Sequence, residues 1–174
     1  MPARPIERFR PRWRLWGLGG FLCAMLLALD AVAAWRDDHA LLINASDSLP
    51  NWAFFIHRNK APARGDYIFF DPPDSDLVTR HFGKRAGPFG KLVIGMPGEL
   101  VAHRGALVLV EGRAVARMKS RTKGGEPLTP GATGRIPEGC YYLGTEHPDG
   151  FDSRYAEIGF VCRDRIIGTG IAIL

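Results

Sequence analysis

Between Leu15 and Trp35 the chain reads LWGLGGFLCAMLLALDAVAAW, 21 residues in which Asp30 is the only charge. As a helix this run is ~31 Å long, about the thickness of a bilayer's hydrocarbon core. Arg14 and Arg36 bracket it, and Trp16 and Trp35 fall where interfacial aromatic residues sit. Five arginines (Arg4, Arg8, Arg10, Arg12, Arg14) face the single acid Glu7 ahead of the run. From Arg36 onward the charges nearly balance, so most of the formal net charge of +5 lies in the first residues. A basic total spread over a domain would suggest a nucleic-acid surface. A basic block beside an apolar run is instead a membrane address, and no nucleic-acid partner is expected. The positive-inside bias places the N-terminus in the cytoplasm and everything after Trp35 across the bilayer. Asp30 stands near the outer end, where a charge costs less than at the centre. A cleaved signal peptide is the alternative, with Ala31-Val32-Ala33 as a small-residue cleavage site. The run exceeds the usual length of such a peptide's apolar region, which favours a retained anchor. The organisation expected is a basic cytoplasmic segment at 1–14, an anchor at 15–35 and an exported domain at 36–174.

The exported part is rich in Gly and Pro, and the whole chain holds 21 and 13 of them. Its apolar residues come in short runs separated by turn signals. Strands are expected at His39–Ile43, Trp52–His57, Asp66–Phe70, Lys91–Ile94, Glu99–His103, Ala106–Val110, Arg113–Met118, Cys140–Gly144 and Ile166–Ile173. Glu111-Gly112 reads as a tight hairpin turn, Leu77–Lys84 as a short helix and Ser120–Gly134 as an exposed loop. This spacing predicts a mainly β fold, antiparallel and partly closed. Cys23 lies in the apolar run and behaves there as a small apolar residue. Cys140 and Cys162 lie in the exported part, where disulfides persist. A bridge between them and an unpaired buried pair are both compatible with the spacing.

The five histidines (His39, His57, His81, His103, His147) show no metal-binding spacing, and no phosphate-cradling glycine loop appears. No metal and no cofactor are expected. Three segments carry chemistry. Ser46-Asp47-Ser48-Leu49-Pro50 follows the anchor closely, and its rigid Pro turn can expose a hydroxyl at a strand edge, or simply turn the chain. Lys91 opens the apolar run Lys91-Leu92-Val93-Ile94-Gly95-Met96-Pro97-Gly98-Glu99. A lysine in apolar surroundings loses hydration of its charged form and can act as a base near neutral pH. A strand-edge lysine whose ammonium snorkels to water is the other reading, and for Lys91 alone the favoured one. The third is the polar loop His147-Pro148-Asp149-Gly150-Phe151-Asp152-Ser153-Arg154-Tyr155, which can order a site or form an ordinary turn with a local ion pair.

Together and in this order, these segments resemble the conserved boxes of type I signal peptidases, membrane-bound serine proteases with a Ser-Lys dyad. The family's Ser-x-Ser-Met-x-Pro or Ser-Met-Pro stretch matches Ser46 to Pro50. Its Arg-Gly-Asp matches Arg64-Gly65-Asp66, followed by Tyr67-Ile68-Phe69-Phe70. Its lysine box matches Lys91 to Glu99, and its Asp-Ser-Arg-Tyr stands intact at Asp152 to Tyr155. The short chain and the stretch from His147 to Tyr155 look like the TraF type, the signal peptidases of conjugative transfer, associated with maturing a pilin precursor and in some systems with pilin cyclisation. Leu49 stands for the usual Met, Glu99 for Asp, Gly150 for a frequent Ser, and Thr169 for an Arg common in the closing strand. The Gly150 change removes a hydroxyl that can orient the lysine.

The resemblance implies Ser48 as nucleophile, Lys91 as general base, and an oxyanion hole from the Ser48 backbone N–H and the Ser46 hydroxyl. Asp152 supports the site directly, while Ser153 and Arg154 shape it, the latter as an ion pair with Asp152. Implied partners are an exported, pilin-like precursor, the bacterial inner membrane and other proteins of the conjugation channel. Three rivals remain. A LexA-like self-cleaving regulator shares the chemistry but needs a cytoplasmic setting and a DNA-binding segment. The others are a general signal peptidase and a catalytically silent anchored module for pilus assembly, which has no need of Ser48 and Lys91 together.

Overall fold

The computed structural model of the protein describes residues 13–44 and 49–173. Ser46 and Ser48 therefore lie outside the described residues. The chain divides into two units, Met1–Asp38 and His39–Leu174.

Among the described residues the first unit contains one helix, α1 (Trp13–Asp38), of 26 residues. It runs past both ends of the expected Leu15–Trp35, because no Gly or Pro interrupts the chain between Trp35 and the strand that begins at His39. Arg36 in its last turn complements the partial negative charge of a helix C-terminus. Residues Trp16–Asp38 have a mean hydropathy of 1.9, long and apolar enough to cross a membrane. Trp16, Phe21, Leu26, Leu29 and Val32 are all exposed on it. A helix that is apolar on every side is stable where its surroundings are not water.

The second unit is the expected antiparallel β structure. A seven-stranded sheet runs in the order β1 (His39–Ile43), β2 (Ala53–His57), β11 (Ile166–Ala172), β3 (Tyr67–Phe70), β4 (Phe89–Gly95), β9 (Cys140–Gly144), β10 (Val161–Cys162). A four-stranded sheet runs β7 (Arg113–Arg117), β6 (Leu107–Val110), β5 (Leu100–Arg104), β8 (Gly134–Arg135). Each paired strand in both sheets is antiparallel to its neighbour. Strand β9 is buried along its whole length. Its Tyr141 and Leu143 face a core with Ile68, Phe70, Val93, Ile158 and Val161. Its Cys140 and Tyr142 face a second core with Val101, Val108, Val110 and Ile136. Period-two alternation thus buries both faces, which is why Cys-Tyr-Tyr-Leu-Gly carries no charge.

The expected short helix is α2 (Asp76–Phe82), shifted from Leu77–Lys84 by its caps. Ser75 Oγ accepts from Val78 N at 3.2 Å and sets the start, and Gly83 ends the helix. The Glu111-Gly112 turn joins β6 to β7 as expected, with Val110 opposite Arg113. Both turn residues have positive φ, 48° and 75°, the pattern of a hairpin turn that follows strand twist. Strand β8 is not among the expected strands, being two residues long, while the equally short β10 holds Cys162 in a strand, in keeping with the strand-like run around it. At the other end of the large sheet, Leu41 and Ile171 flank Phe55 in register. Leu41, Ile43, Trp52 and Ile171 are exposed there.

Cys140 and Cys162 are directly opposite in the β9–β10 pairing, and their sulfurs are bonded at 1.98 Å across 22 positions of sequence. Replacing both by serine is expected to lower stability by about 3 kcal/mol, mostly through the freed unfolded chain. Urea denaturation of oxidised protein checks this, and the difference is expected to vanish when both proteins are reduced.

Candidate active site

Lys91 lies on β4, between β3 and β9, and is 5% exposed. The snorkelling reading therefore fails: β4 is an interior strand, not an edge. On β4 Lys91 and Val93, two residues apart, are both buried and share one face, so the lysine extends the core line that holds Val93. Across β3 its partner is the fully buried Ile68. Burial lowers the Lys91 pKa below its ordinary 10.5; the Asp152 charge works against that shift and the Arg154 charge with it. Burial wins because water solvates an ammonium far better than this environment does.

The serine segment is bounded on both sides by anchored residues. Asn44 donates from Nδ2 to the carbonyls of Leu49 at 3.1 Å and Asn51 at 3.0 Å, and its backbone N–H donates to Trp52 at 2.7 Å. Leu49 is buried with Phe54, Ile56 and Phe69. Its Cδ1 lies only 2.9 Å from where a Cβ on Gly90 would stand. The residue after Ser48 thus packs on the residue before Lys91. Leu for Met at 49 preserves that apolar contact.

Asp152, Ser153 and Arg154 are buried completely or nearly so. Asp152 Oδ1 accepts from Arg154 Nε at 2.8 Å and from Arg154 N at 3.1 Å, while Oδ2 accepts from Arg154 Nη2 at 2.9 Å and from Thr145 N at 3.1 Å. Arg154 Nη2 also donates to Thr145 O at 2.8 Å. Burial opposes the guanidinium's charge, but its hydrogen bonds and attraction to Asp152 outweigh that and raise its pKa. Ser153 exchanges two bonds with Leu143, Leu143 N to Ser153 Oγ at 2.9 Å and Ser153 N to Leu143 O at 3.0 Å. The expected ion pair is present, and it does more than neutralise charge. It completes the outer edge of β9 beyond the short β10.

The Arg-Gly-Asp stretch and the Pro-Gly turn are joined. Arg64 donates to Glu99 and to the Ile94 carbonyl. Glu99 Oε2 also accepts from Met96 N at 2.9 Å, and the Arg64 hydrogen bond leads in lowering the Glu99 pKa. Asp66 ties down its own turn by accepting from Ala63 N at 3.0 Å and Lys60 Nζ at 3.1 Å. Thr169 is buried and donates to the Lys60 carbonyl at 3.0 Å. Two buried hydroxyls had no place in the sequence reading. Tyr142 Oη and Thr145 Oγ1 have no hydrogen-bond partner, and burial raises the Tyr142 pKa so that it stays a neutral phenol. Their signal was masked because Cys140–Thr145 reads as an ordinary strand and its end. A cavity of about 320 Å³ adjoins the last box through Asp149, Phe151 and Tyr155, but neither Lys91 nor Asp152 lines it.

Arg154→Ala is expected to cost about 3–5 kcal/mol, since it leaves a buried carboxylate without its fork. The double variant Asp152→Ala/Arg154→Ala should cost less than the two single losses added, and urea denaturation of the four proteins checks that coupling.

The family described as "Signal peptidase, peptidase S26" matches residues 13–174. Among solved structures, a signal peptidase I from Enterococcus faecalis V583 is 26% identical, with an alignment covering 63% of this chain and 97% of that one at a TM-score of 0.39. No protein of curated function matches. With helix, boxes and family match extending over the same residues, the chain belongs to the signal peptidases of peptidase family S26, serine endopeptidases that act on precursor proteins.

Proposed function

We propose that this signal peptidase uses Ser48 as nucleophile and Lys91 as general base, and that it belongs to the TraF-type branch that matures conjugative pilins. The observation that carries the dyad is the buried amine of Lys91 on an interior strand, its proton affinity reduced by burial. The packing of Leu49 on Gly90 supports the pairing, because each is the chain neighbour of one member of the dyad. Ser48 Oγ attacks the scissile carbonyl as neutral Lys91 takes its proton. The tetrahedral oxyanion is held by the Ser48 N–H and the Ser46 hydroxyl, and Lys91 passes the proton to the leaving amine. Water then resolves the acyl-enzyme, or a pilin amine does so where the product is cyclised.

The stretch from His147 to Tyr155 supports a pilin precursor as substrate. The arginine-rich start and α1 support a single-pass anchor with the N-terminus cytoplasmic and the β domain periplasmic. Exposed Leu41, Ile43, Trp52 and Ile171 suit a domain that works beside a bilayer. Other conjugation-channel proteins are its expected neighbours.

Co-expression with a candidate pilin precursor tests the reading by product mass. Ser48→Ala is expected to abolish cleavage without loss of folding. Lys91→Ala is expected to slow it by ~10²–10⁴, and Lys91→Arg should not rescue, because a guanidinium stays protonated. Ser46→Ala is expected to cost ~10²–10³. Only the neutral amine accepts the serine proton, so the rate should climb with pH through a lysine pKa below 10.5. Normal cleavage by Lys91→Arg would place the base elsewhere. A reporter fused after Leu174 should be active only on the exported side.

A further inference from the structure

Lys91 has an uncharged neighbour that the mechanism above does not use. Strands β4 and β9 pair Val93 with Leu143 and Leu92 with Gly144, so the next step sets Thr145 opposite Lys91. Val93 and Leu143 lie in the same core, and two residues along each strand the side chains return to that face. The polar groups of the backbone agree. Leu143 and Thr145 both turn their N–H and C=O away from β4, toward Ser153 and the Asp152–Arg154 pair. Thr145 and Lys91 therefore form a non-hydrogen-bonded pair, the closer kind, with side chains side by side.

Thr145 is 3% exposed, and its Oγ1 is buried without a hydrogen-bond partner. Such a group costs stability unless it serves something. Its position is also enforced. A Cβ on Gly150 would collide with Thr145 Oγ1 and would stand 2.8 Å from Asp152 Oδ2 and 3.0 Å from Arg154 Nη2. The missing side chain at 150 is the space this hydroxyl uses. Among the described residues, the groups facing Lys91 are then Ile68 from β3, Thr145 just past the end of β9, and the charges of Asp152 and Arg154 from the last box.

From this arrangement we infer that Thr145 is a positioning residue: its Oγ1, unpartnered in the structure, is the acceptor to which Lys91 Nζ turns during turnover, so that the amine's lone pair is aimed at the nucleophile. The Asp152–Arg154 pair acts through it, holding the Thr145 N–H and C=O and so fixing the hydroxyl. The inference rests on the dyad reading.

Two measurements on the full-length protein in detergent separate the two. One is cleavage of a precursor that the wild type cuts; the other is acetylation of Lys91 by acetic anhydride as a function of pH, which needs no substrate. Thr145→Val, which keeps the shape and removes the hydroxyl, is expected to lower kcat by about 10–100-fold with KM unchanged. It should move both the acid limb of the rate and the labelling midpoint to lower pH, because the ammonium loses an acceptor. Thr145→Ser is expected to stay near wild type in both. Thr145→Ala provides a second hydroxyl-free variant of smaller volume if the valine protein does not fold. Unchanged kcat and an unmoved labelling midpoint in a folded hydroxyl-free variant would overturn the inference. A Lys91→Ala protein that cleaves at the wild-type rate would overturn the dyad, and the positioning role with it, whatever the labelling shows.

Discussion

An ammonium group loses several kcal/mol of hydration when it is taken out of water, and Lys91 sits 5% exposed in the middle of a seven-stranded sheet. Most of the second unit can be understood as the means of keeping it there. Ile68 and Val93 supply apolar surroundings, β9 covers the flank that would otherwise open to solvent, and Asp152 and Arg154 place opposite charges whose effects on the amine oppose each other. A single buried acid would have held the lysine protonated. A single buried base would have driven it neutral but left itself without a partner. The pair provides a field small enough for burial to decide the outcome.

The same pair solves a backbone problem. Strand β10 covers β9 only at Tyr141 and Cys140, so the outward groups of Leu143 and Thr145 would be left bare. Ser153 closes the first of these positions and the fork of Arg154 on Asp152 closes the second. Side chains here do the work of a strand, and the Asp-Ser-Arg order follows from it. The three residues lie in a turn closed by Tyr155 N donating to Asp152 O at 3.0 Å, in which the serine meets Leu143 while the acid and the arginine on either side converge on Thr145.

Period-two runs bounded by Gly and Pro made the principal strands legible, and His39–Ile43 and Cys140–Gly144 have the limits expected. Strand β8 escaped because two residues carry no periodicity. The burial of Lys91 was legible only through the company of the other boxes: its own run is equally that of an edge strand, and which strand covers it is decided by a contact between residues some fifty positions apart. Thr145 was not legible at all. Its role depends on the register of β4 with β9 and on an absent side chain at Gly150, and neither is a local property of the chain. The link from Arg64 to Glu99 likewise joins two boxes that sequence presents as separate. Ser46 and Ser48 lie outside the described residues, so at those positions the motif alone speaks.

The bond between Cys140 and Cys162 closes a ring that contains Thr145, Gly150 and the whole box from Asp152 to Tyr155. A single backbone cut anywhere inside a ring releases nothing, because both new ends remain attached through the sulfurs. The exposed residues of that ring, Glu146 and Pro148 to either side of His147 among them, are where another protease would first strike. A nick there leaves every piece of the lysine's surroundings tethered in place.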